Sequence, residues 1–270
     1  MQRFTDRQYL TQDQYRDSSN LDARIEIHER FSTNPYGWFN WVFDTLVQLP
    51  ADSNILELGC GSAAMWKECA ARIPAGWMIT LTDLSDGMLD AAWRNLVVTG
   101  RNFKFEQMDA QSIVYKDESF DVVIANHMLY HVPDRPESFG EIRRVVRPGG
   151  RLIATTVSEN HMQEVNGWLE HATTERGIRP FSQPFTLENG LRQLQAFFSK
   201  VEVTRYRDNL KVTEVEPLMD YICSMIRASE LSEGALAMIE KQLMAILEKE
   251  GEILITKDSG LFQAVKQENS

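Results

Sequence analysis

The sequence is poor in cysteine, in basic clusters and in long apolar runs, and each shortage excludes a class of protein. Its three cysteines, Cys60, Cys69 and Cys223, have no metal-like spacing, so we expect reduced thiols and no metal site. The net charge is −11 without any basic block, which disfavours a nucleic-acid partner. No run approaches the ~20 apolar residues of a membrane span, and the first residues lack an apolar signal-peptide core. We therefore expect a cytoplasmic protein with no membrane partner.

The central part of the chain alternates between strand-like and helical patterns. From Ile55 onward, short apolar runs are followed by segments whose apolar residues recur at helical spacing. This alternation is typical of an α/β fold with a parallel sheet and helices on both faces. The predicted strands are 54–58, 77–83, 102–107, 120–125 and 150–157, and the helices between them are 63–73, 86–98 and 134–147.

The first 50 residues lie outside this alternation and predict helices. Leu21, Arg24, Ile25 and His28 share one helical face, and a second helix near 36–48 is rich in aromatic residues. We expect residues 1–50 to form a helical cap or lid over the ligand edge of the sheet.

The C-terminal part, from residue 158, mixes helices and strands less regularly. We expect residues 51–270 to form the ligand-binding domain, with a helical insertion at about 208–250. The patterns predict helices near 161–176, 214–228 and 232–249, and a strand at 201–206. The last strand is either 253–257 or 261–265, with a turn at 258–260 between them.

A glycine-rich turn follows the first predicted strand. The segment Asn54–Ser62 reads as a buried strand that runs into Gly59-Cys60-Gly61, and a helix begins directly after it. Glycines allow a sharp turn and leave room for a ligand against the main chain. The spacing Gly59-x-Gly61-x-x-Ala64 also imitates the dinucleotide fingerprint. Glu57, two residues before the first glycine, distinguishes the turn from a generic nucleotide loop.

Polar residues also end the next three strands. In an open α/β sheet, ligands bind outside the carboxyl ends of the strands. Asp83 ends the second strand, where a carboxylate can accept two hydrogen bonds from a ribose diol. Asp109 follows the third strand and could accept a hydrogen bond from the exocyclic amine of adenine. Asn126, His127 and His131 follow the fourth strand.

Five segments carry a resemblance to a known family. They are ILELGCGS, ITLTDLS, MDAQSI, FDVVIANHMLYHVPD and RVVRPGGRL, in this order. Together they resemble the small-molecule class I S-adenosylmethionine (SAM) methyltransferases of the ubiquinone and menaquinone biosynthesis type, or methyltransferase type 11. The resemblance covers residues 50–157, and beyond them it extends to topology alone. Ala63 departs from the pattern, which usually has glycine there.

The resemblance implies a fold, a cofactor and a set of contacts. The fold is a Rossmann-like, doubly wound, seven-stranded sheet with an antiparallel last strand, an N-terminal helical extension and a helical insertion before the last strand. The cofactor is SAM, with S-adenosylhomocysteine (SAH) as product. By analogy Glu57, Gly59 and Gly61 meet the methionine moiety, Asp83 the ribose, and Asp109 and Ala110 the adenine. The full set of predicted cofactor contacts is Glu57, Gly59, Cys60, Gly61, Asp83, Leu84, Met88, Asp109, Ala110, Asn126 and His127.

The acceptor side of the predicted site is less specific. Histidine is the natural general base near neutral pH, so His127 and His131 are the candidate catalytic residues. Either could instead be a structural hydrogen-bonding residue. His161 and His171 are most simply surface residues. The candidate substrate contacts are Tyr15, Arg24, His28 and Tyr130.

We therefore predict a SAM-dependent methyltransferase of a small molecule, with an O or N acceptor atom in preference to C or S. One alternative is an NAD-dependent dehydrogenase, which would use the turn and Asp83 but does not predict Glu57 or the Asp109-Ala110 pair. Another is a non-catalytic SAM-binding module. A nucleic-acid methyltransferase would commonly show an Asn/Asp-Pro-Pro-Tyr-like motif where this chain has Asn126-His127-Met128-Leu129. Monomer and homodimer are both compatible with the sequence.

Overall fold

A seven-stranded sheet forms the centre of the protein. The computed structural model describes residues 5–173, 184–225 and 231–268. The strand order is β3-β2-β1-β4-β5-β7-β6, and within the described residues only β7 runs antiparallel to its neighbours. The strands are β1 Asn54–Leu58, β2 Met78–Asp83, β3 Lys104–Gln107, β4 Phe120–Asn126, β5 Val146–Val157, β6 Lys200–Val212 and β7 Ile253–Val265. This arrangement confirms the predicted fold class.

Helices cover both faces of the sheet. They are α1 Ser19–Phe31, α2 Trp38–Phe43, α3 Ala64–Glu68, α4 Asp86–Val97, α5 Arg135–Val145, α6 Gln163–Thr173, α7 Leu187–Gln195, α8 Val215–Ser224 and α9 Glu233–Glu250. A short helical turn at Arg7–Tyr9 and a π-helical segment at Leu10–Gln14 precede them. No helix in these described stretches is long and apolar enough to cross a membrane.

Alternate residues of the central strands pack into two separate hydrophobic cores, one on each face of the sheet. Ile55 packs on one face of the sheet with buried Trp66 and Phe43, whereas Leu56 packs on the other face. The second face is covered by buried residues of α5 and α7, among them Phe139 and Leu194. Successive strand side chains point to opposite faces, so strands buried on both sides are apolar at nearly every position. This is why these strands could be read from sequence.

The C-terminal strand prediction was wrong in one respect. The two runs offered as alternatives, 253–257 and 261–265, belong to a single strand, β7, and the expected turn at 258–260 lies inside it. Gly260 pairs with Thr156 on one side and with Arg205 on the other. A Cβ atom at Gly260 would lie 2.5 Å from the carbonyl oxygen of Thr204. The glycine is therefore needed for close strand approach, and not for a turn.

Two further elements of the C-terminal part differ from the sequence prediction. Residues 208–212, expected at the start of the helical insertion, instead extend β6, and the insertion consists of α8 and α9. Helix α7 was not predicted, although Thr186 caps it by accepting from the Asn189 main chain while the Asn189 side chain accepts from Thr186. The predicted helix ends at 174–176 and 226–228 lie outside the described residues.

A third core joins the N-terminal helix to the insertion. Ile27 and Phe31 of α1 pack with Leu218 and Ile222 of α8, and α6 and α9 contribute to the same cluster. The N-terminal cap and the helical insertion therefore form one continuous roof. This roof covers the carboxyl ends of the central strands, where the candidate site lies.

Candidate active site

A cavity of about 650 Å³ lies between the sheet edge and this roof. Its floor is the glycine-rich turn after β1 together with the residues that end β2 and β4. The described residues that line it include every predicted cofactor contact and all four predicted substrate contacts. The fold therefore brings the sequence-predicted residues together in one enclosed space.

The glycine-rich turn depends on three residues in the left-handed region. Gly59 has φ +66°, Gly61 has φ +54° and Ala63 has φ +58°. A Cβ atom at Gly59 would lie 2.8 Å from the Met128 side chain, and one at Gly61 would lie 2.8 Å from Leu21. Both glycines therefore allow two side chains of the cavity lining to pack closely against the turn. Ala63 adopts a strained conformation at the position where the family pattern usually has glycine.

Glu57 is a buried acid at the end of β1 and is only 2% exposed. Its carboxylate accepts hydrogen bonds from the Trp66 indole and from Asn126 Nδ2, the latter at 2.8 Å. Burial raises the pKa of Glu57 to about 7, although these two donors favour the ionised form. Glu57 and Asn126 thus form a connected pair that spans the ends of β1 and β4.

Asp83 ends β2 and is held by main-chain donors. One carboxylate oxygen accepts from the Gly61 N–H at 3.0 Å, and the other accepts from the Ser85 N–H at 2.9 Å. Burial raises the pKa of Asp83. No cation lies within 4 Å of this carboxylate in the described part of the chain. A carboxylate has about four lone-pair sites, so beside the Gly61, Ser85 and Leu84 main-chain groups Asp83 can still accept a hydrogen bond from a ligand in the cavity.

Asp109 has a partner that the sequence did not indicate. Arg7 Nη2 lies 2.5 Å from Asp109 Oδ2, and the N–H of Gln111 donates to the other oxygen at 2.9 Å. The residue expected to meet the adenine amine is therefore also a contact of the N-terminal segment. Both side chains are partly exposed, so this pair contributes at most about 1 kcal/mol to stability.

The N-terminal segment has two kinds of contact with the rest of the protein. Residues 5–18 touch the cofactor side, where Ser85 Oγ donates to the Tyr15 carbonyl at 2.6 Å. A Cβ atom at Gly87 would lie 1.9 Å from the Arg16 carbonyl oxygen, so the main chains approach very closely there. Farther along, Ser32 Oγ and the Asn34 N–H donate to buried Asp208, at 2.6 and 3.0 Å.

The two candidate catalytic histidines have different surroundings. His131 Nε2 lies 3.0 Å from the Tyr15 hydroxyl, which also accepts from Arg24 Nη1 at 3.2 Å. His127 has φ +49°, and its ring centroid lies 5.2 Å from that of Trp38. Burial, assisted by the nearby charge of Lys257, lowers the pKa of His127 to about 4. His127 is therefore a neutral, cavity-lining imidazole near pH 7.

His161 was expected at the surface, and that prediction was wrong. It lines the cavity, its ring centroid lies 6.1 Å from that of His28, and its Nδ1 accepts from the Asp258 N–H at 3.1 Å. Burial lowers the pKa of His161 to about 3 and holds the pKa of His28 well below its usual value. His171 is exposed, as expected. Nothing in the local sequence indicates that His161 lines the cavity. Its ring is held by the Asp258 N–H, which lies in the part of β7 that was not predicted as a strand.

Residues 56–154 match the family described as methyltransferase domain. The seven-stranded order with an antiparallel β7 agrees with class I. The chain is therefore similar to class I methyltransferases over residues 56–154.

Three individual proteins are similar to this chain. The ubiquinone biosynthesis O-methyltransferase of Pseudomonas fluorescens is 32% identical over 140 residues, which are 52% of this chain and 58% of that protein. The chain thus spans little more than half the length of this curated relative. The Haemonchus contortus phosphoethanolamine N-methyltransferase 2, in complex with phosphomonomethylethanolamine and SAH, matches with TM-score 0.58 and 20% identity over 98% of this chain and 61% of that one. The YcgJ protein of Bacillus subtilis matches with TM-score 0.59 and 16% identity, covering 85% and 99%. These two likenesses concern the fold.

Proposed function

We propose that this protein transfers the methyl group of SAM to an O or N atom of a small-molecule acceptor. The observation that carries the proposal is that one cavity holds two groups of residues. Asp83, the glycine turn and the Glu57–Asn126 pair lie in it together with the predicted substrate contacts Tyr15, Arg24, His28 and Tyr130. The O-methyltransferase named above supports an oxygen acceptor. The net charge of −11, without any basic block, supports a small molecule over a nucleic acid.

The cofactor half of the cavity fits SAM in its donor and acceptor chemistry. Asp83 has unused acceptor capacity and no cationic neighbour in the described residues, as a ribose diol requires. Gly59 and Gly61 let the turn adopt its left-handed backbone at the edge of the cavity, with Met128 and Leu21 packed closely against it. The buried carboxylate of Glu57 favours the positively charged methionine end, because its ionised form is otherwise destabilised by burial. When bound, SAM would supply a methyl group already activated as a sulfonium.

The protein's own contribution is then to position the acceptor and exclude water. The roof would cover the acceptor and exclude water, so that the nucleophile could be held in line with the methyl group. Neutral His127 can accept a hydrogen bond from the attacking hydroxyl or amine. It takes the proton as the nucleophile becomes more acidic in the transition state, so a low pKa does not exclude this role. His131 holds Tyr15 and so positions the roof.

The proposal is tested by methyl transfer from isotopically labelled SAM to a metabolite extract, followed by mass spectrometry. We expect at least one extract component to gain the label only when the enzyme is present. Binding of SAH without any labelled product would favour a non-catalytic SAM-binding module. Thermal stabilisation by NAD without any by SAH would favour a dehydrogenase. A hundredfold excess of SAH over its Kd should stabilise the protein by about 2.7 kcal/mol.

A further inference from the structure

Arg24 places a positive charge in the acceptor half of the cavity. It lies on α1 four residues before His28, so both side chains are on the same helical face. Its Nε donates to Ser224 Oγ at 3.1 Å, its Nη1 donates to the Tyr15 hydroxyl at 3.2 Å, and its Nη2 donates to the Ser224 carbonyl oxygen. All three partners are uncharged, so the guanidinium charge is not neutralised by them.

The other cations of the cavity already have acidic partners. Arg7 pairs with Asp109, and Lys257 pairs with Asp208 at 2.6 Å in a buried position. Among the described residues, no carboxylate lies within 4 Å of the Arg24 guanidinium, which makes it the cavity-lining cation without an ion pair. An enclosed charge without a counterion is costly, unless a ligand supplies the opposite charge.

The surroundings of Arg24 also suit an anion. Of its five N–H groups, three donate to groups within the described residues, which leaves two for a ligand. Tyr130 and Tyr221 line the same cavity, and burial raises the pKa of both phenols, so they remain hydrogen-bond donors at neutral pH. The planar guanidinium binds carboxylate and phosphate groups with two parallel hydrogen bonds.

A purely structural role accounts for only part of this arrangement. Arg24 and the Gln14 side chain both donate to the Ser224 carbonyl oxygen at the C-terminal end of α8, where a cation is favoured. That contact explains the Nη2 group. It does not explain why the charge lines the cavity beside buried phenols, while nearby Arg30 of the same helix points outward to Glu26 and Glu214.

We infer that the methyl acceptor carries an acidic group, a carboxylate or a phosphate, which binds Arg24 and the tyrosine hydroxyls around it. This inference rests on the proposed methyl transfer and specifies the substrate class of the same site. The acidic group would anchor the acceptor at the roof and direct its nucleophilic atom toward the methyl group. It would also make the nearby neutral histidines more basic, which favours proton removal from the nucleophile.

The test is calorimetric titration of the SAH-loaded protein with benzoate, phenyl phosphate and neutral benzamide. We expect at least one of the two anions to bind about tenfold or more tightly than benzamide, and the stronger anion identifies carboxylate or phosphate as the preferred group. Arg24→Gln should abolish the preference without changing SAH affinity. Arg30→Gln, which removes the same charge from the outer face of α1, should retain it.

Arg24→Lys is a second variant that keeps the test decisive if Arg24→Gln does not fold. It keeps the charge but loses the planar fork, so it should retain a weakened preference for the anion. The inference is overturned if neither anion binds measurably, if benzamide binds as well as both anions, or if the preference survives in Arg24→Gln. Failure of SAH to bind the wild-type protein would instead contradict the proposed function.

Discussion

Glu57→Gln tests the electrostatics of the site through the stability of the ligand-free protein. The substitution removes the buried charge but keeps the shape of the side chain. The Trp66 indole can still donate to the amide oxygen. Asn126 can rotate its amide to accept from the new NH₂ group, because its other neighbour, the Thr155 hydroxyl, can both donate and accept.

The cost of the buried carboxylate to the unfolding free energy follows from the raised pKa of Glu57. This pKa is about 7 in the folded protein and about 4.3 in an unfolded chain. Between these values the unfolded chain has released its proton and the folded protein has not, so stability falls as the pH rises. One pKa unit is about 1.4 kcal/mol, and the cost reaches roughly 4 kcal/mol by pH 8. The cost is small below pH 4.3 and constant well above pH 7.

The assay is urea unfolding of the wild-type protein and Glu57→Gln at pH 5 and pH 8. The unfolding free energy of the variant relative to wild type should rise by roughly 3 kcal/mol between the two pH values. SAH affinity should fall in the variant, and Glu240→Gln, on the surface of α9 away from the cavity, should leave SAH affinity unchanged. An equal stability difference at both pH values would refute the raised pKa of Glu57.

Two predictions concern the N-terminal segment as a lid. Deleting residues 1–18 should abolish methyl transfer while cooperative unfolding of the sheet is retained, and full activity in this truncation would contradict the lid. Gly87→Ala should displace residues 5–18, because the new Cβ atom would meet the Arg16 carbonyl oxygen at 1.9 Å. Hydrogen exchange should then be faster in that segment, even with SAH bound, whereas Gly140→Ala, with open space around it, should change nothing there. Unchanged protection in the Gly87 variant would show that this contact does not hold the lid.

The sheet, and the position of the polar residues at its carboxyl edge, could be predicted because their signals are local. Strand β1 is buried on both faces, and this is visible in the sequence as an apolar run. The turn after it needs a left-handed backbone, and this is visible as Gly59 and Gly61. Asp83 could be placed because the end of a parallel strand fixes where its last side chain lies. Such features need no knowledge of distant residues.

The contacts between the roof and the sheet could not be predicted because they join distant parts of the chain. The Arg7–Asp109 pair, the Ser32 contact with Asp208 and the position of His161 all depend on how the roof packs on the sheet. The length of β7 was misjudged because Gly260 reads locally as a turn residue, whereas its role is to allow β5 and β6 to flank it closely. Local patterns do not carry this information.

The central claim is that Asp83 and the glycine turn form a SAM site. The most direct test is calorimetric titration of the wild-type protein and Asp83→Ala with SAH, with NAD as the competing ligand. We expect SAH to bind the wild-type protein at one site per chain and NAD to bind neither protein. The substitution should weaken SAH binding by roughly 1.5–3 kcal/mol for each lost charge-assisted hydrogen bond. Equal SAH affinity in the two proteins, or tight binding of NAD, would contradict the account.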